Sequence, residues 1–369
     1  MNLYTSLARL VYILIECNAG SVLRQSLTRS FITDKTPRGF GLYTAMIADG
    51  QEMKALVDTG SSYLLWVWKT QYEKVAGRGA CDKLFFKCYE CLWPCHPTEY
   101  NLVDFGGATL YRIFEHSGSV NFGNVSLHDI TFGLIGDFSP YYNSPYSLLG
   151  MGPSIDDKYP SFLKQLMSLF PTPINGNVFG LYLRAKRPRA TEYKGELILG
   201  GGDRSLYRGP LSFVPTVRDD SWRVELSAVE LGETLKVAVA DTVLLDTGCN
   251  YIYVPPAKLN ELLGSIEQAA SSSAKKEVRI EYEADYGVWE VKCKYRKYMP
   301  TLHFMLATPT GGVPLSISSE SYVPVSADFC YLQILASNAQ QWQLPDFVLI
   351  GNYLEFQPDK KRVGIAVLK

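Results

Sequence analysis

The sequence predicts a mostly β protein with two similar lobes, each carrying one carboxylate in a glycine turn. Val57-Asp58-Thr59-Gly60-Ser61-Ser62 and Leu245-Asp246-Thr247-Gly248-Cys249-Asn250 each end an apolar strand with Asp-Thr-Gly, about half of the 369-residue chain apart. Short apolar runs that end at Gly, Pro or Asp recur along the chain, and helical periodicity is scarce. One copy of the same strand-and-turn unit in each half indicates a duplicated lobe.

The remaining elements follow from local patterns along the chain. Apolar runs bounded by turn residues predict strands, and longer periodic runs predict helices. The predicted strands include 42–47, 237–245 and 298–306, and the predicted helices are 159–169, with Pro160 or Ser161 near its start, and 256–263.

A second signature follows each Asp-Thr-Gly. Ser147-Leu148-Leu149-Gly150-Met151-Gly152 stands in the first half and Phe347-Val348-Leu349-Ile350-Gly351-Asn352 in the second. Each is an aliphatic pair followed by Gly, which lets another backbone approach closely. We predict that the two stretches are equivalent strands of the two lobes.

On these motifs the chain resembles the pepsin-like aspartic proteases from about residue 40 to residue 369. The resemblance also covers 195–201 followed by 206–209, then 213–215 and 361–366. Several spaced motifs in one order make it specific. It implies a bilobal acid-protease fold, in which two similar β-barrel lobes hold the active site in the cleft between them. The N-terminal lobe would be 39–208 and the C-terminal lobe 209–369, each carrying one Asp-Thr-Gly.

The resemblance implies that Asp58 and Asp246 form a catalytic dyad. Two carboxylates about 3 Å apart share one proton because both cannot ionise cheaply, an arrangement already established for this family. The ionised partner then removes a proton from water, and the protonated partner donates to the scissile carbonyl. This chemistry needs no cofactor, and we expect no metal.

Neighbouring residues would support the dyad. By the same resemblance, Thr59 and Thr247 hydrogen-bond across the lobes, and Gly60 and Gly248 form tight turns whose N–H groups reach the carboxylates. Ser61 matches the hydroxyl that bonds the outer oxygen of the first aspartate. The alternative is that Ser61 is an ordinary turn serine.

The chain departs from the family pattern at three places. Phe105, beside Gly106, occupies the position of the tyrosine on the flap that covers the cleft, and Tyr111 is a second flap candidate. Cys249 stands where Thr or Ser supports the second aspartate, and a thiol is a poor hydrogen-bond partner. The segment 351–364 is shorter than typical.

Six of the eight cysteines are predicted to form disulfides. The resemblance implies a Cys293–Cys330 bond. The loop cluster allows three pairings and leaves zinc binding at Cys88-x-x-Cys91 as a rival interpretation. That cluster consists of Cys81, Cys88, Cys91 and Cys95, while Cys249 is left unpaired and Cys17 belongs to the N-terminal segment.

The N-terminus predicts export. Arg9, a short apolar run and small residues indicate a signal peptide at 1–19, followed by a short N-terminal or pro segment at 20–38. We therefore expect a monomer that is secreted or resides in an acidic endosomal or vacuolar lumen, with no integral membrane span. A net charge of −1 without charge runs argues against nucleic acid as a partner.

Two functional classes remain. The first is an aspartic endopeptidase acting at acid pH on extended polypeptides, with apolar residues favoured at the scissile bond. The second is a catalytically impaired protein of the same fold that binds peptide, inhibitor or glycan. Other hydrolase classes are disfavoured, because no Gly-x-Ser-x-Gly or His-Glu-x-x-His occurs.

Overall fold

The structure is a computed structural model, and it describes most of the chain. The described residues are 21–32, 39–92, 95–97, 99–106, 109–139, 141, 143–185, 192–232, 235–326 and 329–369. The expected signal peptide, with Cys17, lies outside them. Among the described residues no helix is both long and apolar enough to cross a membrane.

Strands dominate the described residues. They are β1 (Leu23–Ile32), β2 (Gly39–Ala48), β3 (Gln51–Asp58), β4 (Leu64–Val67), β5 (Asn101–Asp104), β6 (Leu110–Phe122), β7 (Val125–Ser139), β8 (Leu148–Gly150), β9 (Phe179–Leu183), β10 (Tyr193–Leu199), β11 (Ser212–Pro215), β12 (Arg223–Leu231), β13 (Leu235–Leu245), β14 (Ile252–Val254), β15 (Glu281–Glu283), β16 (Val288–Val291), β17 (Leu302–Thr308), β18 (Gly311–Ile317), β19 (Val325–Ser326), β20 (Phe329–Leu332), β21 (Ile334–Ala336), β22 (Trp342–Leu344), β23 (Asn352–Gln357) and β24 (Arg362–Val367).

Helices are few and mostly short. They are α1 (Lys69–Ala76), α2 (Phe162–Ser168), α3 (Pro256–Ala274) and α4 (Ser319–Tyr322), with 3-10 turns at Ala80–Lys83, Cys293–Tyr298, Asp346–Leu349 and Pro358–Lys360. Helix α2 starts at Ser161, whose hydroxyl accepts from Lys164 N at 3.3 Å, as an N-cap does. Helix α3 runs eleven residues past its predicted end at residue 263, because its buried leucine stripe continues to Ile266 and Ala270.

The same strand arrangement occurs in each half of the chain. In the first, the sheet order is β3-β8-β4-β7, and in the second it is β13-β22-β14-β21. In both, the outer neighbours run parallel and the central pair runs antiparallel. The predicted mostly β, bilobal class is therefore confirmed.

One antiparallel run of strands joins the two halves. Its order is β11-β24-β23-β9-β10-β1, so strands from both ends of the chain share a sheet. Phe179 on β9 stacks on Phe356 of β23 with ring centroids 4.6 Å apart, and Trp222 packs edge-on against both rings. These buried rings couple the first lobe to the second.

The predicted second-lobe strand at 347–351 is wrong. That stretch lies in a 3-10 turn and the residues after it, and β22 takes the place equivalent to β8. Pro345 follows β22 where Gly150 ends β8, so a pattern that requires Gly points to the wrong segment. The segment 351–364, expected to be short, contains a continuous hairpin in which β23 and β24 pair from Asn352↔Val367 to Gln357↔Arg362.

Candidate active site

The two Asp-Thr-Gly turns lie at the ends of equivalent strands. Asp58 is the last residue of β3, and Asp246 directly follows β13. The neighbouring parallel strand anchors each turn, because Met151 N donates to Asp58 O at 2.7 Å and Asp246 N donates to Leu344 O at 2.9 Å. The sheet backbone therefore fixes where both carboxylates point.

A symmetric set of four hydrogen bonds ties the two turns together. Thr59 N donates to Thr247 Oγ1 and Thr247 N donates to Thr59 Oγ1, both at 3.0 Å. Each hydroxyl in turn donates to a backbone oxygen of the opposite lobe, Leu245 O or Val57 O, at 2.7 Å. Both threonines are buried, so water does not compete for these bonds.

The two carboxyl groups meet within hydrogen-bonding contact of each other. Gly60 N donates to Asp58 Oδ1 at 2.7 Å, and Gly248 N donates to Asp246 Oδ1 at 2.9 Å. A Cβ on Gly60 would lie 2.6 Å from the carboxyl carbon of Asp246, and a Cβ on Gly248 would collide with Asp58. Each glycine is therefore needed so that the opposite carboxylate can approach.

The outer oxygens of the pair have side-chain donors. Ser61 Oγ donates to Asp58 Oδ2 at 2.6 Å, and Gln343 Nε2 donates to Asp246 Oδ2 at 2.8 Å. Sequence reasoning missed Gln343. The available signal was the alternation Trp342-Gln343-Leu344 before a proline, which places one polar side chain on the opposite face from two buried ones.

Cys249 differs from its expected role beside the second aspartate. Its thiol donates to the backbone oxygen of Asp246 at 3.1 Å and lies 3.6 Å from Tyr251 O, while the carboxylate takes its side-chain bond from Gln343. Burial, together with the nearby carboxylates, raises the pKa of the Cys249 thiol well above its ordinary value. The thiol therefore stays protonated and unreactive.

The environment favours one shared proton on the pair. Burial raises the pKa of Asp246 well above its usual range, and the negative charge of Asp58 raises it further. Hydrogen bonds from Gly248 and Gln343 act in the opposite direction, since they stabilise the ionised form. A carboxyl that stays protonated beside a hydrogen-bonded partner can donate to a substrate oxygen at acid pH.

The dyad opens into a cleft of about 560 Å³ that the β5–β6 hairpin overhangs. Phe105 and Gly106 of this hairpin line the cleft, and Phe105 packs against Tyr63 and Tyr111 with ring centroids 6.4 and 5.2 Å apart. Tyr111 is buried behind it and accepts a hydrogen bond from Tyr146 N at 3.1 Å. Phe105 therefore faces the site, and Gly107 and Ala108 lie outside the described residues.

A smaller apolar cavity of about 150 Å³ borders the second Asp-Thr-Gly turn at Gly248. Its walls include Ile32, Leu56, Phe86 and Phe138. The cavity is open on one side and has polar residues at its edge, but its apolar walls can accommodate an apolar side chain, because transfer of such a group out of water is favourable.

Three disulfides are present in the described residues. Cys81 pairs with Cys88, Cys91 with Cys95, and Cys293 with Cys330. These bonds select one of the three loop pairings and take up both cysteines of the zinc interpretation. Cys249 is a free thiol.

Comparisons with known proteins agree with this geometry. The family described as eukaryotic aspartyl protease matches residues 44–368. Pepsin B of Canis lupus familiaris is 27% identical over 86% of this chain and 78% of its own length. Gastricsin of Mus musculus is 28% identical over 51% of this chain and 45% of its own length. Cathepsin D of Clupea harengus is 29% identical over 59% of this chain and 53% of its own length. The chain thus spans about half the length of these last two relatives. The chain belongs to the eukaryotic aspartyl protease family.

Proposed function

We propose that the protein is an aspartic endopeptidase that hydrolyses peptide bonds with Asp58 and Asp246 acting as a unit. The observation that carries this proposal is the symmetric hydrogen bonding of both carboxylates. Each receives one backbone N–H and one side-chain donor, and the turns are joined by paired threonine bonds. A protein that only binds peptide has no need for two carboxylates held in contact.

In the proposed reaction, the pair holds a water molecule between its carboxylates. The ionised carboxylate accepts a proton from this water as its oxygen attacks the peptide carbonyl carbon, and the neutral carboxyl donates to the carbonyl oxygen. The resulting tetrahedral intermediate breaks down when a proton passes to the departing nitrogen. Because the dyad titrates as a pair, the shared proton is not assigned to either residue.

The surroundings support an extended polypeptide substrate with apolar residues beside the scissile bond. The cleft of about 560 Å³ runs under Phe105, whose ring keeps an apolar wall at the flap. The adjoining apolar cavity adds a second apolar wall. We propose that Phe105 and Gly106 close over the substrate.

We also propose the lobe boundaries 39–208 and 209–369 and a single-chain enzyme, since one chain supplies both aspartates. Secretion or an acidic lumen suits the three disulfides, which persist in oxidising compartments. In the shared sheet, β1 pairs with β10 and β2, which supports a structural role for residues 23–32.

Hydrolysis of denatured casein tests the proposal, with and without pepstatin. We expect cleavage at acid pH that pepstatin blocks and that falls towards neutral pH, where the dyad loses its proton. The same folded protein binding peptides without cleaving them at any acid pH would favour the impaired alternative. Cleavage that is fastest above neutral pH would contradict the mechanism.

A further inference from the structure

The two aspartates receive matching hydrogen bonds from unlike sources. Ser61, three residues after Asp58, donates to that residue's outer oxygen at 2.6 Å. Gln343, 97 residues after Asp246, donates to the equivalent oxygen at 2.8 Å. The second site thus has the same bonds as the first, although its local turn carries no hydroxyl after the glycine.

The strand around Gln343 holds its side chain in place. Strand β22 pairs in parallel with β13, where Gln343 faces Leu244, and antiparallel with β14, where it faces Tyr253. The flanking residues Trp342 and Leu344 are fully buried on the opposite face. The amide therefore projects into the cleft from a strand that is paired on both sides.

The neighbouring thiol leaves the outer oxygen to Gln343. Cys249 Sγ is directed at backbone oxygens, 3.1 Å from Asp246 O. A thiol is a weak donor, and this one is already engaged. A carboxamide N–H is a stronger donor and, unlike a carboxyl, does not titrate.

We propose that Gln343 is a positioning residue that holds the carboxylate of Asp246 for peptide hydrolysis, in place of the missing hydroxyl at position 249. The inference rests on the proposed endopeptidase function. A donor to the outer oxygen favours the ionised form and fixes its orientation towards Asp58. Loss of this donor should therefore move the acid limb of the pH–rate profile upward.

The other titratable groups facing Asp246 from the elements around it are Asp58, Tyr146, Tyr253 and Cys249. Burial raises the pKa of Tyr146 to about 12 and that of Tyr253 above its ordinary value, so both phenols stay neutral at acid pH. The Cys249 thiol stays neutral for the same reason.

The test is a cycle of Gln343→Met, Cys249→Thr and the double variant, with pH–rate profiles on casein. For Gln343→Met we expect kcat to fall about tenfold and the acid limb to rise by about one pH unit. Cys249→Thr alone should not raise the acid limb, because Asp246 keeps the donor of Gln343. In the double variant the new hydroxyl should return the acid limb towards its parental position, which a merely structural role of Gln343 would not produce.

Two further variants keep the test decisive. Gln341→Met changes a nearby glutamine that bonds Arg223 at 2.7 Å, and its acid limb should stay in place. Gln343→Glu keeps the shape if the methionine variant fails to fold. Its added negative charge disfavours loss of the shared proton and should push the upper limb to higher pH, and an unmoved upper limb would overturn the inference.

The inference and the proposed function fail in different ways. A parent protein that does not cleave casein, while folded, defeats the endopeptidase proposal. An active parent whose profile superimposes on that of Gln343→Met defeats only the role of Gln343. A shift in Gln343→Met that Cys249→Thr leaves unrescued also overturns it.

Discussion

Asp346→Asn should remove an acid-stabilising group from the junction of the two halves. Asp346 is fully buried just after β22, and its Oδ1 accepts from Arg29 Nε at 2.7 Å. Arg29 on β1 is also buried, and its guanidinium lies 4.6 Å from the ring centre of Phe40 and 5.3 Å from that of Phe347. The pair links the N-terminal strand to the second lobe.

The size of the effect follows from the pKa of Asp346. Burial outweighs the attraction of Arg29 and raises this pKa from 3.8 to about 6. A shift of about two units corresponds to about 3 kcal/mol. Because the folded-state pKa is the higher one, this contribution is fully present below the unfolded-state pKa and is lost as pH rises through about 6. The group therefore stabilises the fold at acid pH relative to neutral pH.

Urea denaturation of the parent and of Asp346→Asn measures this. Asparagine keeps the shape and an acceptor for Arg29 but does not ionise. Between ~pH 3.5 and ~pH 7 we expect the variant's free energy of unfolding, relative to the parent's, to rise by about 3 kcal/mol. The matched control is Asp219→Asn, which breaks an exposed ion pair with Lys361 and should show no such slope. A parent-minus-variant difference that stays constant with pH would refute the reasoning.

Three further substitutions probe the dyad turns. Thr247→Val removes two cross-lobe bonds and leaves two buried backbone groups unpaired, so urea denaturation should show a loss of about 2–4 kcal/mol, and an unchanged midpoint would count against the bonds. Gly60→Ala forces a methyl to within 2.6 Å of the carboxyl carbon of Asp246 and should lower kcat by about 100-fold, whereas Gly176→Ala, in open space, should leave kcat unchanged. Ser61→Ala removes the donor to the outer oxygen of the first aspartate and should lower kcat about tenfold, and parental kcat would show that this bond is dispensable.

The fold class could be predicted from the sequence because the duplication repeats in short, local patterns. An apolar strand ending in Asp-Thr-Gly specifies a strand, a tight turn and a carboxylate within six residues, as at Asp58 and Asp246. The disulfide pairing in the loop needed the structure, since cysteines at 81, 88, 91 and 95 allow three pairings.

The side chain that donates to the second aspartate could not be predicted from local sequence patterns. Gln343 reaches Asp246 because β22 pairs in parallel with β13, and this register joins residues far apart in the chain. The sequence pattern for this strand is an aliphatic pair followed by glycine, but Pro345 is the residue that follows β22 in this lobe. From the sequence alone, Cys249 indicated a weakly supported second aspartate, because the residue after Asp-Thr-Gly can be read directly. The sequence does not show that the distant side chain of Gln343 donates the hydrogen bond to Asp246 instead.

Turnover of casein by Asp58→Asn, Asp246→Asn and the double variant tests the central claim most directly. Both carboxylates are required for one proton-sharing step, so we expect each single variant to lose most activity and the double variant to be little worse than either. Urea denaturation should first establish that all three are folded. Near-parental turnover by either folded single variant would contradict the assignment of the dyad.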